Sequence, residues 1–502
     1  MKKMSFFAVV LFCFFLSGNA VFSADAGVDV VIAIDCSGSM VNADPEKLVV
    51  DCATVLLDQL DKSSARYGAV FFDGEIRTVM PLAEISQQDF IDRIKSELKQ
   101  NYVRDGNKTD SPRAIARALS MLETNDIGNR QFIVLLTDGN DIPERTVQEL
   151  ETERQYVIER CESLDIPVYT IGLNVDGSMS QDSISEISEK TDAKSYELSS
   201  VDELNSVVIG GIYNDFINKM SGASIAQGNF TGAEQEVYVE IPDSYVSLAN
   251  FNILSAANVN VQVFDQTGTD VTTDANKVLV TKSQSYVTAQ LVQPEKGKWK
   301  IVFVGETGVK YEIQLIYDYA LKVQENIASN TVGNVVLECF LADNAGIVTD
   351  TAIYQNVTGA YFNITDASGN MSEYSAAFDG DKYSADIPLP EGDYTFSATI
   401  EHKNFTRESV APVQLKIIPM QATSVPTAVP SLTTIAPSIT QVPEQQTEKF
   451  PKWLLFALIG GAAAVIVGGA AAVVLIRKGG TVSIAADINI NIKSATSAAS
   501  SF

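Results

Sequence analysis

Residues 30–40 read VVIAIDCSGSM. A run of apolar, mostly β-branched residues stops at Asp35, and Ser37, Gly38 and Ser39 follow. β-Branched enrichment marks a strand, and apolar residues on both alternating faces mark a strand covered on both sides. The Asp-x-Ser-x-Ser at its end has two readings. Gly and Ser are ordinary turn residues. The same positions also form a rack of oxygen atoms suited to a hard cation. Other parts of the chain separate the two.

From residue 28 to about 220, strand-like and helix-like segments alternate. The strands are 28–34, 67–72, 131–136, 167–173 and a short one at 195–198. A helix is expected from Asp44-Pro45, with Asp44 as N-cap and Pro45 in the first turn. A second covers 89–99, with Phe90, Ile91, Ile94 and Leu98 on one face. Ser111-Pro112 opens a third through residue 122, and others follow at 146–164, 182–190 and 202–217. Continuous apolar strands separated by amphipathic helices imply an α/β, doubly wound, mostly parallel sheet.

Such sheets bind ligands at the carboxyl ends of their strands. Asp35, Ser37 and Ser39 lie at one such end, and Thr137-Asp138-Gly139 follows the strand 131–136. Thr109 stands in the loop before the 111–122 helix. Three hydroxyls and two carboxylates would then converge on one edge. Magnesium takes six oxygens at about 2.0–2.1 Å and often keeps waters. With few direct charges on it, the ion stays electrophilic and accepts one more carboxylate.

The strand followed by Asp35-x-Ser37-x-Ser39, the stretch carrying Thr109, Asp110, Ala114 and Ile115, and the strand followed by Thr137-Asp138-Gly139 together resemble the von Willebrand factor A (vWA) domain with its metal-ion-dependent adhesion site (MIDAS). The resemblance covers about residues 27–220. It implies a Rossmann-like fold and a divalent cation, magnesium first, with manganese or calcium as alternatives. Ser37, Ser39 and Thr109 would ligate directly, and Asp35 and Asp138 would act through water and hydrogen bonds. The implied partner is a protein offering a carboxylate, with ligand binding coupled to movement of the helix around 201–217. One departure stands out: where the family often has a Gly pair before the threonine, this chain has Gly106-Asn107-Lys108. Lys108 either weakens the cation, grips an anionic ligand, or points to solvent.

The remaining chain frames this domain, expected at 25–220. Residues 1–24 carry Lys2, Lys3 and an apolar run, and read as a signal peptide cleaved after Ala20 or Ala24. Alternating segments without long helix patterns fill 228–319 (a β-sandwich) and 320–418 (an Ig-like β-sandwich). Residues 419–452 are a Pro/Thr-rich linker that builds no core. Residues 453–476 hold no charge and are long enough for a transmembrane helix, with Arg477 and Lys478 starting a short cytoplasmic tail at 477–502. Gly460, Ala464, Gly468 and Ala472 line one face of that span and suit self-association.

A net charge of −27 disfavours nucleic acid and anionic membrane surfaces as partners. Four cysteines remain after the signal, namely Cys36, Cys52, Cys161 and Cys339, with no paired spacing. They read as buried small hydrophobes, with a Cys36–Cys52 bridge left open. His402 is the sole histidine, so histidine-rich zinc chemistry is ruled out and no Ser-His-Asp set is assignable. Asn-x-Ser/Thr triplets, such as those at Asn356 and Asn363, occur at the frequency expected by chance. The expectation is a cell-surface, single-pass binding protein with no enzymatic role. The alternative is a structural or assembly factor that docks on envelope proteins and uses the metal as a fold staple.

Overall fold

The computed structural model describes residues 27–138, 141–174, 181–409 and 412–419. The expected signal peptide, most of the linker, the apolar segment 453–476 with its small-residue stripe, and the tail all lie outside the described residues. Among the described residues, no helix is long and apolar enough to cross a membrane.

The first layer is built on six strands: β1 (Val28–Asp35), β2 (Arg66–Phe72), β3 (Ile76–Glu84), β4 (Arg130–Thr137), β5 (Val168–Leu173) and β6 (Ser195–Leu198), in the order β3-β2-β1-β4-β5-β6. Only β3 runs antiparallel. Strand β1 is central and buried on both faces. Val30, Ile32 and Ile34 meet one apolar core, and Val31 and Ala33 meet another on the opposite side. Each such side chain contributes about 1.5–3 kcal/mol on burial. Near the start of β1, the buried Asp29 is paired with Arg66, which donates through Nε at 2.8 Å and again through Nη2, as a buried carboxylate requires.

Helices α1 (Met40–Ala43), α2 (Leu48–Gln59), α3 (Gln88–Asn101), α4 (Ser111–Thr124), α5 (Val147–Ser163) and α6 (Gln181–Lys190) cover the sheet. Asp44 does not begin α2 as expected from Asp44-Pro45. Lys47, in the left-handed region at φ 61°, precedes Leu48, and Asp44 instead accepts from the amides of Leu48 (2.7 Å) and Val49 (3.0 Å). The N-cap of α4 is Asp110, one residue earlier than Ser111. The expected helix at 202–217 is a chain of turns, with a π-helical stretch at Val207–Tyr213 between short α-helical pieces. Cys36 and Cys52 are both free and buried, so they form no bridge.

A β-rich region follows. Strands β7 (Ser224–Asn229), β8 (Gln235–Ile241), β9 (Val246–Leu254), β10 (Asn260–Phe264), β11 (Val278–Lys282), β12 (Tyr286–Val292), β13 (Gly297–Val304) and β14 (Lys310–Tyr319) form the sheets β10-β13-β8 and β11-β12-β9-β14-β7. Ten further strands between residues 322 and 417 form two more sheets. One hydrophobic core, from Trp299 and Phe251 to Phe362 and Phe396, runs through all four.

The two layers are joined over a wide buried seam. Every residue of α2 from Val49 to Gln59 is buried, because the helix lies between its own sheet and β9 and β12. The polar residues on the outward face of these strands are satisfied across the seam. Asn250 donates to the Gln59 carbonyl at 2.8 Å, and Gln59 and Asn252 exchange side-chain hydrogen bonds at 2.9 and 3.1 Å. Ser283 and Ser285 donate to Asp51 at 2.8 and 2.7 Å, and Tyr286 donates to Asp58 at 2.7 Å. The apolar part of the seam brings Tyr286 and Ile316 into the core formed by α2 and the segment 201–218.

Candidate metal centre

The register of the sheet sets the centre. Ile34 on β1 lies opposite Leu136 on β4, so Asp35 ends beside Thr137. Asp35 is fully buried. Its carboxylate accepts from the Ser37 amide at 2.7 Å and from the Thr137 hydroxyl at 2.6 Å. Burial pushes its pKa up to about 7, the Asp138 charge adds to the rise, and the two hydrogen bonds oppose it.

Ser37 and Ser39 place their hydroxyls 3.0 Å apart, and Ser39 donates to Asp138 Oδ1 at 2.9 Å. Four of the five sequence-expected residues thus form one continuous oxygen cluster at the carboxyl ends of β1 and β4. Gly139 lies outside the described residues.

Thr109 arrives from a third loop. Its backbone exchanges hydrogen bonds with Ile142, at 3.3 Å through its amide and 2.9 Å through its carbonyl. The loop ahead of it is laced to the Asp-x-Ser-x-Ser turn: Gly38 N donates to Gly106 O at 2.7 Å, and Gly106 N donates to Cys36 O at 3.1 Å. Only glycine fits at 106, since a Cβ there would sit 2.5 Å from Asp73 Cβ. Lys108 is half-buried, its Cβ close over Gly74. Cys36 packs in the core, its thiol pushed up to about 12 by burial.

Sequence reasoning missed the outer supports. The Thr137 hydroxyl orients Asp35. Asp110 accepts from Arg145 Nε at 2.7 Å and Nη2 at 2.6 Å. Asp141 accepts from the Ser111 amide at 2.7 Å and from Arg154 at 2.9 Å. The Asp-Ser-Pro sequence at 110–112 was a legible cap signal; the two arginine partners had none.

Hydroxyl and carboxylate oxygens are the ligand chemistry of magnesium, manganese and calcium, with no soft donor among them. Two carboxylates meeting in a buried site repel each other, and a cation would relieve that. The residues present therefore fit such an ion. No cluster of three or more His, Cys, Asp or Glu placed to hold a metal occurs among the described residues.

The family model for the von Willebrand factor type A domain matches residues 29–208. Comparison with curated proteins returns no match. Among solved structures, a von Willebrand factor type A protein from Catenulispora acidiphila is similar at 16% identity, covering 65% of this chain and 65% of that one, with a TM-score of 0.33. BatB from Bacteroides thetaiotaomicron is similar at 19% identity over 36% of this chain and 95% of its own, with a TM-score of 0.29. Proximal thread matrix protein 1 from the mussel byssus, with a zinc-occupied MIDAS motif, is similar at 18% identity over 45% of this chain and 51% of its own, with a TM-score of 0.32. The chain thus spans under two thirds of the first of these and about half of the mussel protein. Sheet order, motif positions and family match agree: residues 29–208 are a von Willebrand factor type A domain, followed by a β-rich region.

Proposed function

We propose that this chain is a cell-surface binding protein. Its vWA domain holds a divalent cation, magnesium first, through Ser37, Ser39 and Thr109, with Asp35 and Asp138 acting through water and hydrogen bonds. A partner protein's carboxylate completes the coordination shell. The observation that carries this reading is the oxygen cluster of Asp35, Ser37, Ser39 and Asp138, joined at 2.9–3.0 Å between the serines and Asp138. When bound, the ion supplies electrostatic attraction for an anionic group; the chain's own residues hold it and leave one side open.

The outer side of the cluster supports a binding role over a fold staple. Ser39 is exposed while Asp35 is buried, so the site has a solvent face. Structural metal sites are closed by protein ligands, whereas working sites keep an open position. The two β-regions, 228–319 and 320–418, serve in this reading as Ig-like spacers. The apolar segment 453–476 anchors them, with the bulk of the chain outside the cell. No catalytic role is assigned.

The test is electron paramagnetic resonance of manganese added to the intact chain, unaltered and with Ser39→Ala. Binding that the substitution weakens by tenfold or more supports the reading. Manganese that stays fully hydrated in both contradicts it. Protease treatment of intact cells checks the topology: release of the β-rich region is expected, and full protection contradicts surface exposure.

A further inference from the structure

Helix α5 reaches back to both flanks of the Thr109 loop. Arg145, just before its N-cap Thr146, grips Asp110 with two parallel hydrogen bonds at 2.7 and 2.6 Å. Its Nη2 also lies 2.6 Å from Glu153, about two turns further along. Arg154 pairs with Asp141 at 2.9 Å, and Asp141 in turn accepts from the Ser111 amide. Asp110 and Ser111 directly follow Thr109, and Asp141 precedes Ile142, whose backbone pairs with Thr109.

Resting on the cation reading above, we infer that Arg145 is a positioning residue for the metal centre, acting through Asp110 to fix Thr109. The carboxylate of Asp110 is almost wholly buried and directly follows Thr109, the expected ligand. Without Arg145 its charge is met by the longer Arg113 Nε contact at 3.7 Å, a weaker compensation for a buried carboxylate. It is also an acidic group one residue from the ion, able to turn inward and take the position a partner needs. The bidentate clamp removes both outcomes: it neutralises the charge and sets its direction, since a guanidinium fork holds a carboxylate in one plane. Asp110 completes the lock by accepting from the Arg113 amide at 3.2 Å and donating its own amide to Asp73 O at 2.9 Å. Outer partners of this kind set where the direct ligands sit before the ion arrives.

The experiment is a calorimetric titration of magnesium into the intact chain, run on Arg145→Gln, Arg145→Lys, Asp110→Asn and the double variant Asp110→Asn/Arg145→Gln. Near-ultraviolet circular dichroism at the titration temperature confirms that each remains folded. Arg145→Gln is expected to weaken magnesium by about 10–100-fold, and Arg145→Lys to restore part of that. In the Asp110→Asn background the further loss on Arg145→Gln should shrink to about threefold or less, because the two residues act as one unit. Unchanged affinity in Arg145→Gln, or an equal loss in both backgrounds, overturns this inference and leaves the cation reading standing. Absence of magnesium binding by the unaltered chain overturns the cation reading and this inference with it.

Discussion

Asp51→Ala is expected to destabilise the whole body, although Asp51 is far in sequence from everything it touches in the β-rich region. The Asp51 side chain lies on α2, is buried, and accepts hydrogen bonds from Ser283 and Ser285 at 2.8 and 2.7 Å across the seam. A hydrogen bond to a charged group contributes about 1.5–3 kcal/mol. Two of them give about 3–6 kcal/mol, from which the relief of no longer burying a carboxylate is subtracted. The net expectation is a loss of about 3 kcal/mol. The double variant Asp51→Ala/Ser283→Ala should recover part of that loss, since it removes the hydroxyl left without its acceptor, while Ser285 keeps its hydrogen bond from Asn205 at 2.7 Å. Urea unfolding of residues 27–419 reads this with two probes. Trp299 is the sole tryptophan of that fragment and reports the β-rich region, while ellipticity at 222 nm reports mainly the helices of the first layer. Both transitions should coincide in the unaltered protein and shift together in Asp51→Ala, because the seam couples the layers. A shift below about 0.5 kcal/mol, or one confined to the helical signal, would refute the reasoning.

Two further outcomes follow from local geometry. His402 is buried, its Nδ1 accepts from the Asn404 amide at 3.2 Å, and its Nε2 has no partner. Burial, with the nearby Lys403 and Arg407 charges, holds its pKa down at about 4 against an ordinary 6.5. The folded state thus resists a proton that the unfolded chain accepts. Stability from this residue is full above about pH 6.5 and is lost as pH falls toward 4, by at most about 3 kcal/mol. Urea midpoints at pH 7 and 4.5 check this, and His402→Phe should flatten part of the difference. Gly106→Ala forces a Cβ to 2.5 Å from Asp73 Cβ; overpacking of this kind costs about 1–3 kcal/mol. Because Gly106 laces the Thr109 loop to the Asp35 turn, magnesium affinity should fall with it, which the same calorimetry detects.

Much of the first layer was legible because its strands are apolar on both faces. Strand β3 was not: Ile76–Glu84 carries Arg77, Pro81 and Glu84, and as an exposed edge it needs no apolar run. The start of α2 was misread because Asp44-Pro45 has the composition of a helix start, whereas the left-handed Lys47 delays the helix to Leu48. The burial of α2 on all sides was not legible, because Asp51, Thr54 and Asp58 fall together on one face of the helix and read as a solvent-facing stripe. That face is the one that meets the β-rich region, through Asp51 and Asp58. In the candidate metal centre, Asp35, Ser37, Ser39, Thr109 and Asp138 were singled out by their placement at strand ends together with the resemblance to the vWA family. Arg145, Arg154 and Asp141 could not be, since long side chains that meet across loops leave no period in the sequence.

The seam also decides how the central claim must be tested. A fragment ending near residue 220 would bare α2 and the segment 201–218, so the intact chain is the right sample. The decisive measurement is calorimetric titration of magnesium, at fixed ionic strength, into the unaltered chain and Asp35→Ala. The account predicts a saturable exchange of heat in the first and none in the second. Equal binding by both, or binding by neither, would contradict it.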